Sequence, residues 1–262
     1  LITFHRAFRG DGGLSLFHTD IGETSYRAAA QRVRMLAPDA RDVLDIGCGD
    51  GKLLAEIASE FDNDVNLHGV DLSDDQVARA RASLPLATIR CADAADDLGK
   101  ARFDVIVAHF SLLIMTRVRR VLTNTAAALR PGGTVALLTE DPSVPDSIFA
   151  LVRSGLVPVV HHLPGLRMAI PEREPVERDD ALLTLLEDVG LRDHHVERFT
   201  MRAVLSRDQL WDFARSTYLV GLLEDAVQRE LRTSLEAQAG AALSEDGRIP
   251  VTLPLRFVSA RA

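Results

Sequence analysis

One segment constrains this chain more than any other: Val43-Leu44-Asp45-Ile46-Gly47-Cys48-Gly49-Asp50-Gly51. It reads as a buried strand running into a glycine-rich turn, with a helical run over 52–61 directly behind it. Gly47 and Gly49 let the backbone approach a ligand closely, and the helix start that follows offers unpaired N–H groups. Asp71 closes a second strand-like run, 67–71, twenty residues after Gly51. An acidic residue at that distance suits the two hydroxyls of a ribose. The expected ligand is therefore a nucleoside-containing cofactor.

The spacing of the glycines selects among such cofactors. A dinucleotide turn is spaced G-x-G-x-x-G. Here the glycines fall at 47, 49 and 51, and Lys52 stands where the third would be. Asp45 precedes the turn. The resulting D-x-G-x-G-x-G pattern resembles motif I of the class I S-adenosylmethionine (SAM) methyltransferases.

The remaining pattern is strand–helix alternation. A helix is predicted over 24–36, stopped by Ala37-Pro38. Strands are predicted over 43–47, 67–71, 86–91, 103–108 and 134–139. Ser73-Asp74-Asp75-Gln76 caps a helix running to Ser83. A helix over 118–129 stops at Arg130-Pro131-Gly132-Gly133. This alternation predicts an α/β fold with right-handed crossovers. After Glu140 the rhythm changes, and 141–178 is read as a long segment without a periodic run. Further on come a helix over 181–189, a strand over 194–204, a helix opened by Ser206-Arg207-Asp208-Gln209, a helix over 224–239 and a last strand over 249–260.

The order of these elements, with Leu129-Arg130-Pro131-Gly132-Gly133 before the fifth strand, also resembles the class I methyltransferases. The resemblance covers residues 40–140. Trp211, Asp246-Gly247-Arg248 and Pro254-Leu255-Arg256-Phe257-Val258 resemble the C-terminal region of trans-aconitate methyltransferase-like enzymes. The resemblance implies a Rossmann-like fold: a mostly parallel seven-stranded sheet, helices on both faces and a helical cap insertion. It implies one domain over 1–262, with a SAM-binding core over 40–140 and cap segments over 141–178 and 205–247.

Site residues follow from the same resemblance. The backbone of Gly47, Cys48 and Gly49 is expected against the methionine part of SAM, with Asp45 holding its ammonium. Asp71 is expected on the ribose, Leu72 on the adenine, Asp93 on the adenine amino group and Ala94 near a ring nitrogen. Tyr26 lies on an N-terminal helix that folds over the cofactor in similar enzymes. Ala108 and His109 end the fourth strand, where the transferring methyl is expected. His109 is the candidate base or orienting group, because a histidine titrates near neutral pH.

Composition bounds the rest. A net charge of -8 and the lack of a basic stripe argue against a nucleic-acid surface. No apolar run approaches the ~20 residues of a membrane span. Lys52 and Lys100 are the only lysines among 30 basic residues, so the other 28 are arginines, which suggests a GC-rich bacterial genome. Cys48 and Cys91 are read as buried thiols of a reducing cytoplasm, and no metal is expected. His161-His162 and His194-His195 are adjacent pairs; on a strand, neighbours face opposite ways. The expectation is a cytoplasmic methyltransferase for a small molecule, methylating a carboxylate or hydroxyl oxygen and releasing S-adenosylhomocysteine. Its oligomeric state is open. A non-methylating SAM-fold enzyme, catalysing a cyclisation or aminopropyl-type transfer, and a noncatalytic SAM-binding subunit remain alternatives.

Overall fold

The computed structural model describes residues 14–62, 64–141, 143–144, 147–160, 174–221, 223–240 and 246–262. Seven strands form one sheet: β1 Asp42–Ile46, β2 Asn66–Asp71, β3 Thr88–Cys91, β4 Phe103–His109, β5 Leu129–Glu140, β6 Arg192–Leu205 and β7 Ile249–Arg261. Their order is β3-β2-β1-β4-β5-β7-β6. The first five strands pair in parallel, and β7 lies antiparallel between β5 and β6. The helices are α1 Ser25–Leu36, α2 Lys52–Glu60, α3 Asp74–Ser83, α4 Val118–Ala128, α5 Ile148–Val160, α6 Glu174–Glu177, α7 Asp179–Asp188, α8 Arg207–Ser216, α9 Tyr218–Gly221 and α10 Asp225–Ala239. This is the expected Rossmann-like α/β architecture.

Alternation along the strands divides the core between two faces. Val105 and Val107 of β4 pack into one cluster with α1, α2, α5, α8 and α10. Ile106 and Ala108 of the same strand point the other way, into a cluster with α4 and α7. A strand covered on both faces requires a continuous apolar run, and Val105 to Ala108 supplies it. Helix starts follow their side chains. Thr24 accepts from Arg27 N–H, Ser73 from Gln76 N–H, and Ser206 and Gln209 form a reciprocal capping box.

At the N-terminal edge of the sheet, the Arg130 guanidinium bridges Asp42 (2.8 Å) and Asp104 (2.6 Å). Asp104 also accepts from the backbone N–H of Arg41 and Asp42, at 2.8 and 2.9 Å. Arg130 is the second residue of β5, so its side chain rivets three strands together, β1, β4 and β5. Near the opposite edge, the buried Arg256 of β7 donates to Thr139 Oγ1 at 3.0 Å and pairs with Asp179, tying the start of α7 to β5 and β7.

Several expectations are corrected. The segment 141–178 holds a thirteen-residue helix, α5, and all of the short α6. Gly155 and Pro158 hid it. A Cβ at Gly155 would make ordinary contact, 3.4 Å, with Leu231 and Leu235, so α5 packs directly on α10 at this point. Strand β5 begins at Leu129, five residues earlier than expected, because Leu129 pairs with Phe103 before a register shift. Cys91 is exposed; only Cys48 is buried. The arginines at the start of α4 are engaged: Arg117 pairs with Asp93, Arg119 with Asp188, and Arg120 donates to the Ala95 carbonyl. Trp211 is buried in the first cluster, while the Tyr218 side chain, His161 and His162 lie outside the described residues. His194 is held locally, 3.1 Å from the Leu191 carbonyl oxygen.

Candidate functional site

The glycine turn leaves β1 and is folded back onto β2. Gly47 and Cys48 both donate to the Val70 carbonyl, at 2.7 and 3.0 Å. Gly47 has φ +75°, and a Cβ there would stand 2.4 Å from Ser111 Cβ, so both its conformation and its space demand glycine. The Ser111 hydroxyl donates to the Ile46 carbonyl at 2.6 Å, pinning the segment after β4 against the turn. Gly51 donates to the Cys48 carbonyl at 3.0 Å, closing the turn as α2 begins.

Two carboxylates lie at this turn. Asp71 Oδ2 accepts from Gly49 N–H at 2.9 Å, and its Oδ1 accepts from Ser73 N–H at 2.8 Å. An ionised carboxylate offers about four acceptor directions, so two backbone donors leave capacity for two hydroxyls. Asp45 is different. Its side chain is 1% exposed, and Oδ1 has no hydrogen-bond partner. Burial, and then the charge of Asp71, push its carboxyl up to about 8. A buried polar atom left without a partner is costly, and a bound cation removes that cost. Cys48 fills the space above Gly69, where a Cβ would meet its Sγ at 2.8 Å. Burial, Asp45 and Asp71 push this thiol far up, so it is no nucleophile.

Beyond β3, Asp93 Oδ1 accepts from Ala95 N–H at 2.8 Å, and its Oδ2 pairs with Arg117 at 2.6 Å. Arg117 stands at φ +59° as the residue before α4. Leu72 is half-buried and Ala94 is buried.

His109 ends β4. Its ring is stacked on Tyr26 of α1, with centroids 4.3 Å apart and planes inclined by 22°. Its Nε2 lies 3.0 Å from Ser25 Oγ, a fully buried hydroxyl. On the Tyr26 ring also sits the Lys52 ammonium, 5.9 Å from the centroid. Lys52 opens α2 directly after the glycine turn. One aromatic ring therefore links the turn to the end of β4.

The family described as Methyltransferase domain matches residues 43–133, the span from β1 to the start of β5. A dTDP-4-amino-2,3,4,6-tetradeoxy-D-glucose N,N-dimethyltransferase of Saccharopolyspora spinosa is 30% identical over 209 residues, covering 76% of each chain. The chain belongs to the class I SAM-dependent methyltransferase family. A trans-aconitate 2-methyltransferase of Variovorax paradoxus is 28% identical over 158 residues, covering 60% of this chain and 56% of its own. The crystal structure of the Bacillus YcgJ protein superposes with a TM-score of 0.59 at 17% identity, covering 89% of this chain and 97% of that one. The chain spans about half the length of several other curated relatives it matches.

The structure brings Gly47, Cys48, Gly49, Asp45 and Asp71 together at one turn and sets Leu72, Asp93 and Ala94 beside it along the same sheet edge. Tyr26 and His109 are in contact. Ala108 stands apart, since its side chain points into the second core cluster, on the face opposite His109. Sequence reasoning missed Ser25, Ser111 and Arg117. Each reaches its partner across a long stretch of chain, 84 residues for Ser25 and His109, and no local pattern marks them.

Proposed function

We propose that this methyltransferase binds SAM along the C-terminal edge of β1, β2 and β3. It then transfers the methyl to an oxygen, hydroxyl or carboxylate, of a small molecule. The observation that carries the reading is Asp45, a buried carboxyl with an unpartnered oxygen beneath a backbone turn. The methionine ammonium of SAM is a cation of the right kind to ionise and satisfy it. Gly47 to Gly49 lie against the methionine part, and Asp71 accepts from the ribose hydroxyls while still holding Gly49. Leu72, Asp93 and Ala94 hold the adenine, with Arg117 fixing Asp93.

When bound, SAM supplies a methyl on a sulfonium, already attached to a good leaving group. The protein's part is position, desolvation and proton control. His109, held at Nε2 by Ser25 and on its face by Tyr26, is fixed where the acceptor enters. It takes the proton of a hydroxyl acceptor and only orients a carboxylate. Tyr26 serves as a lid residue over the cofactor. The described parts of the segments 141–178 and 205–247 shield the reacting edge; Ile148 of α5 and Phe213 of α8 pack in one core cluster with Val107 of β4. No helix among the described residues is long and apolar enough to cross a membrane. The arginine bias and a count of only two cysteines support a bacterial cytoplasmic setting.

Calorimetry with SAM, S-adenosylhomocysteine and NAD tests the reading. SAM and S-adenosylhomocysteine bind and NAD binds more weakly. Asp71→Ala weakens SAM by about 1–3 kcal/mol, as for hydrogen bonds to a charged group. NAD binding equal to or tighter than SAM would overturn the assignment.

A further inference from the structure

Beyond His109, the reacting edge continues as a row of rings. Phe110 packs edge-on against His109, with centroids 5.0 Å apart, and lies 6.3 Å from Phe149 of α5. Phe149 in turn packs on Phe213 at 5.3 Å, and Phe213 on Phe17 at 5.5 Å. Burial along this row is graded. Phe17 and Phe213 are fully buried, whereas Phe149, Phe110, His109 and Tyr26 are each half-buried. The row therefore starts as core and opens at the edge where the acceptor must stand.

Phe110 carries a second signal. It has φ +57°, a left-handed conformation that is an outlier for a bulky side chain. Such a residue persists only where its surroundings hold it, and these cases cluster at functional sites. Here the Phe110 N–H donates to the Leu138 carbonyl at 2.8 Å, and the ring touches both core clusters at the rim of the sheet. An ordinary strand conformation would aim the ring along the alternation of β4. The left-handed one turns it toward Phe149.

We propose that the methyl acceptor is a planar aromatic alcohol, its ring held against Phe110 and Phe149 and its hydroxyl at His109. Flat rings pack on flat rings in offset or edge-on arrangements, and a half-buried row of them selects a flat guest. The proton chemistry agrees. A phenol ionises near 10, as tyrosine does, within about 3.5 units of an imidazole near 6.5. An aliphatic hydroxyl holds its proton far more tightly and lies much further from an imidazole. A single histidine is an adequate base for the first and a poor one for the second. In the step, the phenol oxygen bonds to the methyl carbon as the carbon–sulfur bond breaks. The electron pair of that bond passes to sulfur, leaving a neutral thioether, and the phenolic proton passes to His109.

This inference rests on the methyl-transfer reading, so cofactor binding is measured first by calorimetry. Protein that fails to bind SAM overturns both. Protein that binds SAM is then assayed with labelled SAM against one- to three-ring phenols, including 2-naphthol, against their saturated counterparts such as decahydro-2-naphthol, and against trans-aconitate. Phenols are methylated at least tenfold faster, as kcat/KM, than their saturated counterparts. Phe149→Leu raises KM for 2-naphthol about tenfold with SAM affinity unchanged. Phe110→Gly, which suits the left-handed backbone and so guards against misfolding, does the same. Equal or faster turnover of the saturated alcohols, turnover of trans-aconitate but of no phenol, or a KM within threefold of the parent in both variants overturns the aromatic assignment while leaving SAM-dependent methylation standing.

Discussion

The Tyr26 ring and the His109 imidazole lie nearly parallel, 4.3 Å between centroids, although one stands in the first turn of α1 and the other ends β4. Ser25, the neighbouring residue on α1, reaches His109 Nε2 at 3.0 Å. Two consecutive residues of one helix thus fix the orientation of one imidazole, one through its face and one through its nitrogen.

That arrangement separates removal of His109 from its mispositioning. With a hydroxyl acceptor, His109→Ala lowers turnover about 10²- to 10⁴-fold with little change in SAM affinity. Ser25→Ala leaves the imidazole in place but frees its ring. It lowers kcat and shifts the pH–rate profile, and Ser25→Thr restores both. Steady-state kinetics across pH 5–9, with calorimetry for SAM, make the check. Turnover of His109→Ala within threefold of the parent removes it from the chemistry.

Asp45 ties stability to function in opposite senses. Its carboxyl is pushed up to about 8 by burial and by Asp71, against an ordinary value of 3.8. Between those values the folded protein binds a proton that the unfolded chain has lost. The Asp45 contribution to stability therefore falls as pH rises from about 4 toward 8. Asp45→Asn cannot ionise, so it raises the melting temperature of the unliganded protein at pH 8.5 relative to the parent. The same change abolishes the pairing with the ammonium and weakens SAM binding by tenfold or more. SAM binding at pH 7 also releases a proton from Asp45 in the parent. Calorimetry in buffers of differing ionisation enthalpy reads this, and the variant's release is smaller. Equal SAM affinity of parent and variant contradicts the role given to Asp45.

Much of the cofactor edge was legible because its signals are local. Gly47, Gly49 and Asp71 fall at fixed intervals around a strand–turn–helix unit, and the geometry that demands them is set within that unit. Ser73 and Ser206 announced their helices for the same reason: a cap contacts N–H groups only two or three residues on. The acceptor side was not legible. α5 reads as a broken segment since Pro158 lacks an N–H and Gly155 has low helix propensity. Its helix is held from outside, by packing on α10 and by Arg153 pairing with the buried Glu140 at 3.1 Å. Phe110 looked like one more apolar residue after a strand, because nothing in a sequence shows the sign of φ. Cys91 was misjudged by its strand position, since β3 is the sheet's edge strand and exposes it.

The N-terminal edge of the sheet gives the last prediction, one of pH-dependent stability. His68 of β2 is half-buried, edge-on to Phe103 at 5.2 Å, with Nε2 3.6 Å from Asp42 Oδ1. Burial lowers its pKa below the ordinary 6.5, and Arg102 and Arg90 add to this while Asp42 opposes it. As pH falls below 6.5 the unfolded chain takes up a proton that folded His68 resists, so the His68 contribution to stability declines from there downward. Asp42 and Asp104 are held below 3.8 despite burial, chiefly by hydrogen bonding to Arg130. Their contribution is present above 3.8 and is lost only as pH falls through their lower folded values. These contributions are therefore lost in two stages as pH falls, against the opposite trend of Asp45, and His68→Gln removes the first alone. Asp104→Ala, which strips acceptors from two backbone N–H groups and from Arg130, costs about 2–3 kcal/mol at pH 7. Urea unfolding at pH steps from 4 to 7.5 compares the three proteins. If the stability difference between parent and His68→Gln stays constant from pH 7.5 to 4.5, His68 is not the source of the first stage.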